Sequence, residues 1–104
     1  MEGVVEMITI DHKAILIQRI ERYKWYLYTT LSITVGFWHV DFDTDEEIEK
    51  VKKEALKVLE KSNLREASRY AYKKLDGLRR KIEEKVGTEV PPCGYIYFIT
   101  GYGR

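Results

Sequence analysis

Cysteine is almost missing from this chain: Cys93 stands alone among 104 residues, so no intramolecular disulfide can form. A reducing, cytoplasmic setting is the expectation. Amides are nearly as scarce, with Gln18 and Asn63 the only two, while Glu, Lys and Arg abound. Amide depletion with dense opposite charge is a thermophile-like pattern and points to such a host. No apolar run approaches the ~20 residues a membrane span requires. The start, Met-Glu-Gly, has neither a basic segment nor an apolar one, so no signal peptide is expected. Net charge is also lacking, at +1, so bulk charge argues for neither nucleic acid nor membrane. No nucleophile elbow, phosphate loop or cofactor fingerprint occurs; Gly101-Tyr102-Gly103 has no helix after it. Nothing therefore supports an enzyme or calls for a cofactor. Cys93 reads as a small loop residue rather than a catalytic thiol.

What is present fits one domain over 1–104. Hydrophobic residues make up 44% and charged residues 34%, which is globular rather than disordered. Asp43-Thr44-Asp45-Glu46-Glu47 opens a helix, with Thr44 and Glu47 spaced as a capping box. Ile48, Val51, Ala55, Val58 and Leu59 form its apolar stripe, and Glu46–Lys50 and Glu49–Lys53 are its i,i+4 pairs. Ser62-Asn63 breaks it and caps a second helix, about Leu64 to Val86. That helix has a stripe at Leu64, Ala67, Ala71, Leu75, Leu78, Ile82 and Val86 and a C-cap at Gly87. The short turn makes the two an antiparallel pair. Pro91-Pro92-Cys93-Gly94 is a stiff connector. Tyr95 to Thr100 is β-branched and aromatic, hence a strand, followed by a frayed tail.

The first 43 residues admit two readings. Val4 to Ile10 and Ala14 to Ile20 read as strands. A helix over Asp11 to Tyr28 competes, because Leu16, Ile20, Tyr23 and Leu27 also fit a helical stripe. β-Branched content favours the strands. From Lys24 to Phe42 apolar residues alternate and change phase at Gly36, which suggests a bulge or turn there. The expected fold is therefore α+β: an antiparallel or mixed sheet of about four strands with a two-helix hairpin on one face.

Three constellations bear on function. On a strand, His39, Asp41 and Asp43 would share a face, and one imidazole with two carboxylates suits a divalent cation. The intervening Trp38, Val40 and Phe42 need the core, however, so polar residues are required there in any case. No bound metal is expected, and a metal-dependent enzyme built on this triad ranks third. The open sheet face would carry Arg22, Lys24, Tyr26, Tyr28, Tyr95 and Tyr97. Cations beside aromatic rings suit single-stranded nucleic acid, and the same tyrosines suit a homodimer interface. Finally, residues 64–86 hold eight basic against four acidic side chains. Arg65, Arg69, Lys73 and Arg80 line up opposite the apolar stripe, as a phosphate-tracking helix would. The chain reads as a non-enzymatic binding protein, with nucleic acid or a second copy of itself as the partner and no membrane role.

Overall fold

Leu16, Ile20, Tyr23, Leu27 and Leu31 recur at spacings of three and four, and all five are completely buried. In the computed structural model, which describes residues 11–34 and 44–102, they form one face of a long helix, α1 (His12–Thr34). Asp11 starts it, accepting from the amide of Ala14 at 3.2 Å. Burying each such side chain contributes about 1.5–3 kcal/mol, whereas the β-branched residues argue against helix by only a few tenths each. Packing therefore overrides local propensity.

Two more helices follow as the sequence indicates, α2 (Thr44–Lys61) and α3 (Leu64–Val86). Asn63 caps α3, its Oδ1 accepting from the amide of Glu66 at 2.9 Å. Gly87 ends α3 in the left-handed region (φ 73°), its N–H donating to the carbonyl of Glu83. Ala55 on α2 and Ala67 and Ala71 on α3 are fully buried, so this pair makes the most extensive contact in the bundle. Two local details differ from expectation. Among the described residues, the buried Thr44 hydroxyl has no partner, so the capping box is not formed. Lys50 pairs with Glu47, and Lys52 bridges Glu49 and Glu21 of α1, in place of the i,i+4 pairs.

The last element, α4 (Tyr95–Thr100), is a short helix bounded by Gly94 and Gly101. Gly101 is left-handed (φ 84°), and its N–H donates to the carbonyl of Tyr97. Phe98 is completely buried while Ile96 is 58% exposed. A strand would have put both on one side; a helix separates them by about 200°.

The α+β expectation is thus corrected. The described residues form an all-helical bundle with no strand among them. The strand at Ala14–Ile20 is helix, as is the Lys24–Thr34 part of the alternating stretch. The strand at Val4–Ile10 and the kink at Gly36 lie outside the described residues. None of the described helices is long and apolar enough to cross a membrane.

Candidate functional site

Without a sheet, the tyrosine face does not exist. Its members are dispersed inward and to different neighbours. Tyr26 donates its hydroxyl to the carbonyls of Pro91 and Pro92, at 2.8 and 3.1 Å, and so ties the connector to α1. Tyr28 donates to Asp45 at the start of α2, where Lys24 also lies 3.6 Å from the same carboxylate. The Tyr28 hydrogen bond is the main influence holding Asp45 below the usual carboxylate range; burial opposes it, and Lys24 adds to it. Tyr95 stacks on Phe98 (6.0 Å between centroids) and meets Tyr72 edge-on at 5.0 Å. Tyr97 is half-buried against the core. Tyr23, completely buried, joins Tyr26, Tyr72, Tyr95 and Phe98 in an aromatic cluster that links α1, α3 and α4; Tyr28 and Tyr97 lie outside it. Stacking on nucleic-acid bases needs open π-faces. Tyr95 spends its face on Phe98, and the hydroxyls of Tyr26 and Tyr28 are committed to protein partners.

The basic residues divide as well. Arg65, Arg69 and Lys73 are exposed on α3, while Arg80 is bound to Asp76 at 3.2 Å. Arg22 donates Nη1 to the carbonyl of Phe98 at 2.7 Å, and Lys24 turns the other way, to α2. Lys24 lies over the Tyr28 ring, 5.9 Å from its centroid, but no sheet face gathers the remaining cations and tyrosines among the described residues, and the nucleic-acid reading built on that face does not stand. His39, Asp41 and Asp43 lie outside the described residues. No group of three or more potential metal ligands occurs among the described ones, so a metal-dependent enzyme gains nothing.

A buried polar network, unmarked at the level of sequence, holds the connector. Arg79 is 7% exposed. Its Nε donates to Asp76 at 3.0 Å and its Nη1 to the carbonyl of Val90 at 2.5 Å, while Glu83 accepts from the amide of Val90 at 2.9 Å. Burial alone would lower the pKa of Arg79. The hydrogen bond and charge of Asp76, with help from Tyr23 and Glu83, outweigh it and hold the guanidinium above its ordinary value. Tyr23 itself is pushed well above the phenol range, chiefly by burial and then by the nearby Asp76.

Cys93, in the same connector, is 1% exposed. Burial pushes its thiol up to about 11, against the opposing charge of Arg22. A rise of this size from 9.0 cuts the thiolate near pH 8 by roughly 100-fold. We expect Ellman's reagent to modify native Cys93 at least about 100-fold more slowly than Cys93 in guanidinium; equal rates would contradict the placement. Because the folded value is the higher one, the thiol's contribution to stability is complete below pH 9. It is lost as pH rises through about 11.

The feature that remains open is the outer face of α1. Trp25 is 72% and Ile33 78% exposed, with the exposed Thr29 between them. Beside this face runs a groove of about 550 Å³ lined by Glu21, Lys24, Trp25, Tyr28, Ser32 and Ile33. The ten residues from Trp25 to Thr34 carry no charge. Helical geometry puts Trp25, Thr29 and Ile33, spaced by four, along one solvent-facing line. Alternation along a strand would put Trp25 and Ile33 on the same side as Tyr23, Leu27 and Leu31; only the last three are buried.

Compared with protein-family models, curated proteins and solved structures, the chain matches none. Its functional reading rests on its own geometry.

Proposed function

We propose that this chain is a protein-interaction module that pairs with a second copy of itself through the outer face of α1. The observation that carries this reading is the exposed pair Trp25 and Ile33, spaced equally on either side of Thr29. A two-fold axis passing at Thr29 makes that arrangement self-complementary. Two antiparallel copies of α1 then set Trp25 against the partner's Ile33, and the reverse, with small Thr29 at the crossing. An isologous contact of this kind needs no second patch elsewhere on the molecule.

Electrostatics allow the contact. The charged residues at the groove, Glu21 and Lys24, are already bound to Lys52 and Asp45 of α2. Closing the face therefore strands no unpaired charge. The uncharged part of α1 is short, roughly 15 Å of helix at ~1.5 Å per residue. An interface of that length sits at the small end of specific contacts, so a dissociation constant of order 10 µM is expected.

Sedimentation equilibrium tests the reading. The unsubstituted chain should follow a monomer–dimer equilibrium with a dissociation constant near 10 µM, and Thr29→Arg should be monomeric. Thr29 is exposed, so the variant should keep the melting temperature of the isolated chain. A chain still monomeric at about 500 µM would remove the proposal, as would a Thr29→Arg variant that dimerises equally well.

A further inference from the structure

α1 packs across both α2 and α3, and a second groove runs along the same hairpin without it. Two hollows, of about 360 and 480 Å³, meet at Lys73, and residues of the hairpin alone line them. Buried Val51 and half-buried Leu78 lie in the first, half-buried Val58 in the second. The rim is charged. Along α3, Arg69, Lys73, Gly77 and Lys81 follow one another at intervals of four, the spacing of a single ridge on a helix surface. All four are exposed.

The charges of the rim are unevenly committed. Five cations and three carboxylates line the two hollows. Glu47 lies 3.7 Å from Lys50, and Glu54 accepts from the Tyr70 hydroxyl at 2.8 Å. Lys74 sits over the Tyr70 ring, 5.6 Å from its centroid. Arg69, Lys73 and Lys81 have no ion-pair or hydrogen-bond partner among the described residues. The surplus is therefore positive and lies on α3. Gly77 is a separate observation. Glycine is a poor helix former, and packing does not call for one here: a Cβ at this position would meet no neighbour within 4 Å. What the glycine provides is a gap in the ridge midway between Lys73 and Lys81, over which another backbone can approach closely.

We propose that this groove docks an amphipathic helix of a partner protein, acidic on its polar face, whose backbone crosses α3 at Gly77 and whose carboxylates pair with Arg69, Lys73 and Lys81. Charge complementarity sets the sign of the partner. The apolar floor sets its form: one apolar helix face fills the hollows between two helices, as α1 does from its own side. Arg69 to Lys81 spans about 18 Å at ~1.5 Å per residue, room for about three helical turns. A nucleic-acid backbone would use the cations but gain nothing from the apolar floor or from the missing side chain at position 77. The groove shares no lining residue with the one beside Trp25, so this surface and the dimer face can fail separately.

The test is fluorescence anisotropy of a labelled peptide of about 14 residues, long enough for the groove, titrated with the full chain at low salt. The peptide is built of Leu, Ala and Glu, with leucines on one helical face and glutamates on the other. A peptide with Lys in place of Glu and a single-stranded oligonucleotide are the comparison probes. The acidic peptide should bind with a dissociation constant of order 100 µM or tighter, at least about tenfold below that of either comparison probe. Lys73→Glu combined with Lys81→Glu should weaken binding about tenfold or more. Gly77→Gln should do the same while raising the melting temperature by about 3 °C or more, because it fills the gap and favours the helix. Thr29→Arg should bind as the unsubstituted chain does. Equal affinity for the acidic and basic peptides, no binding at about 500 µM chain, or undiminished binding by either groove variant would overturn the proposal. Tighter binding of the oligonucleotide would mark a phosphate surface instead, and loss of peptide binding in Thr29→Arg would place the peptide on α1; either result also overturns it. Should the double lysine variant fail to fold, Gly77→Gln decides.

Discussion

Replacing Phe98 with alanine should destabilise the chain by about 3–5 kcal/mol, and the melting temperature should fall by about 15 °C or more. Phe98 is completely buried and its ring lies 5.3 Å from Tyr72, 6.0 Å from Tyr95 and 6.1 Å from Tyr23. Removing it opens a cavity at the point where α4 meets both long helices, and α4 is too short to persist without that contact. Ile96→Ala supplies the contrast. Ile96 is 58% exposed, so its loss should change stability by no more than about 0.5 kcal/mol. The difference is a test of the element itself. On a strand, residues 96 and 98 share a face and would cost alike; in α4 they do not. Thermal or urea unfolding of the two variants reads this out, and equal losses would contradict a helix at Tyr95–Thr100.

A loss of similar size, about 3–5 kcal/mol, is expected from Arg79→Ala. This guanidinium is the link between α3 and the connector, through Asp76 on one side and the Val90 carbonyl on the other. Truncation leaves the Asp76 carboxylate, whose side chain is 18% exposed, without its buried partner, and leaves the Val90 carbonyl short of its donor. Asp76 would keep Arg80 and the long contact from Tyr23 at 3.4 Å, neither of which enters the space Arg79 vacates. Arg79→Lys should recover only part of the loss, since one ammonium on a flexible stem cannot reproduce the two directed contacts. Urea denaturation checks both variants. A cost below about 0.5 kcal/mol for Arg79→Ala would show that the network does not hold the connector.

The sequence was informative where a helix had to signal its own limits. Asn63 and Gly87 bound α3 as read, and the small Ala67 and Ala71 mark its close approach to α2. Residues 12–34 carry two periodicities at once. Tyr23, Leu27 and Leu31 belong to the core stripe, while Trp25 and Ile33 belong to the outer face; taken together they imitate a strand's alternation. Apolar residues on both sides of α1 therefore hid its helical period. The same two residues are the strongest pointer to an interface, so the misread fold and the candidate site have one cause. In α4, β-branched and aromatic content gave the wrong element because the flanking glycines and the buried Phe98 outweigh propensity over so short a segment. Arg79 offered no signal. Arg79 sits among other basic residues on α3, and only the packed bundle distinguishes a buried arginine from a solvated one.

The central claim is that α1 is a helix whose outer face pairs antiparallel about Thr29, and a site-directed cross-link tests it most directly. Cysteine is placed at Thr29 or at Gln18, both exposed on α1, while Cys93 is buried and should stay inert. A two-fold axis at Thr29 brings the two Thr29 positions together. It sets the two Gln18 positions roughly 33 Å apart, at ~1.5 Å per residue along each helix. With a short bis-maleimide at dimer-forming concentration, Thr29→Cys should yield a covalent dimer on a denaturing gel and Gln18→Cys should remain monomeric. Cross-linking of Gln18→Cys as efficient as that of Thr29→Cys, or no covalent dimer from Thr29→Cys, would contradict the account.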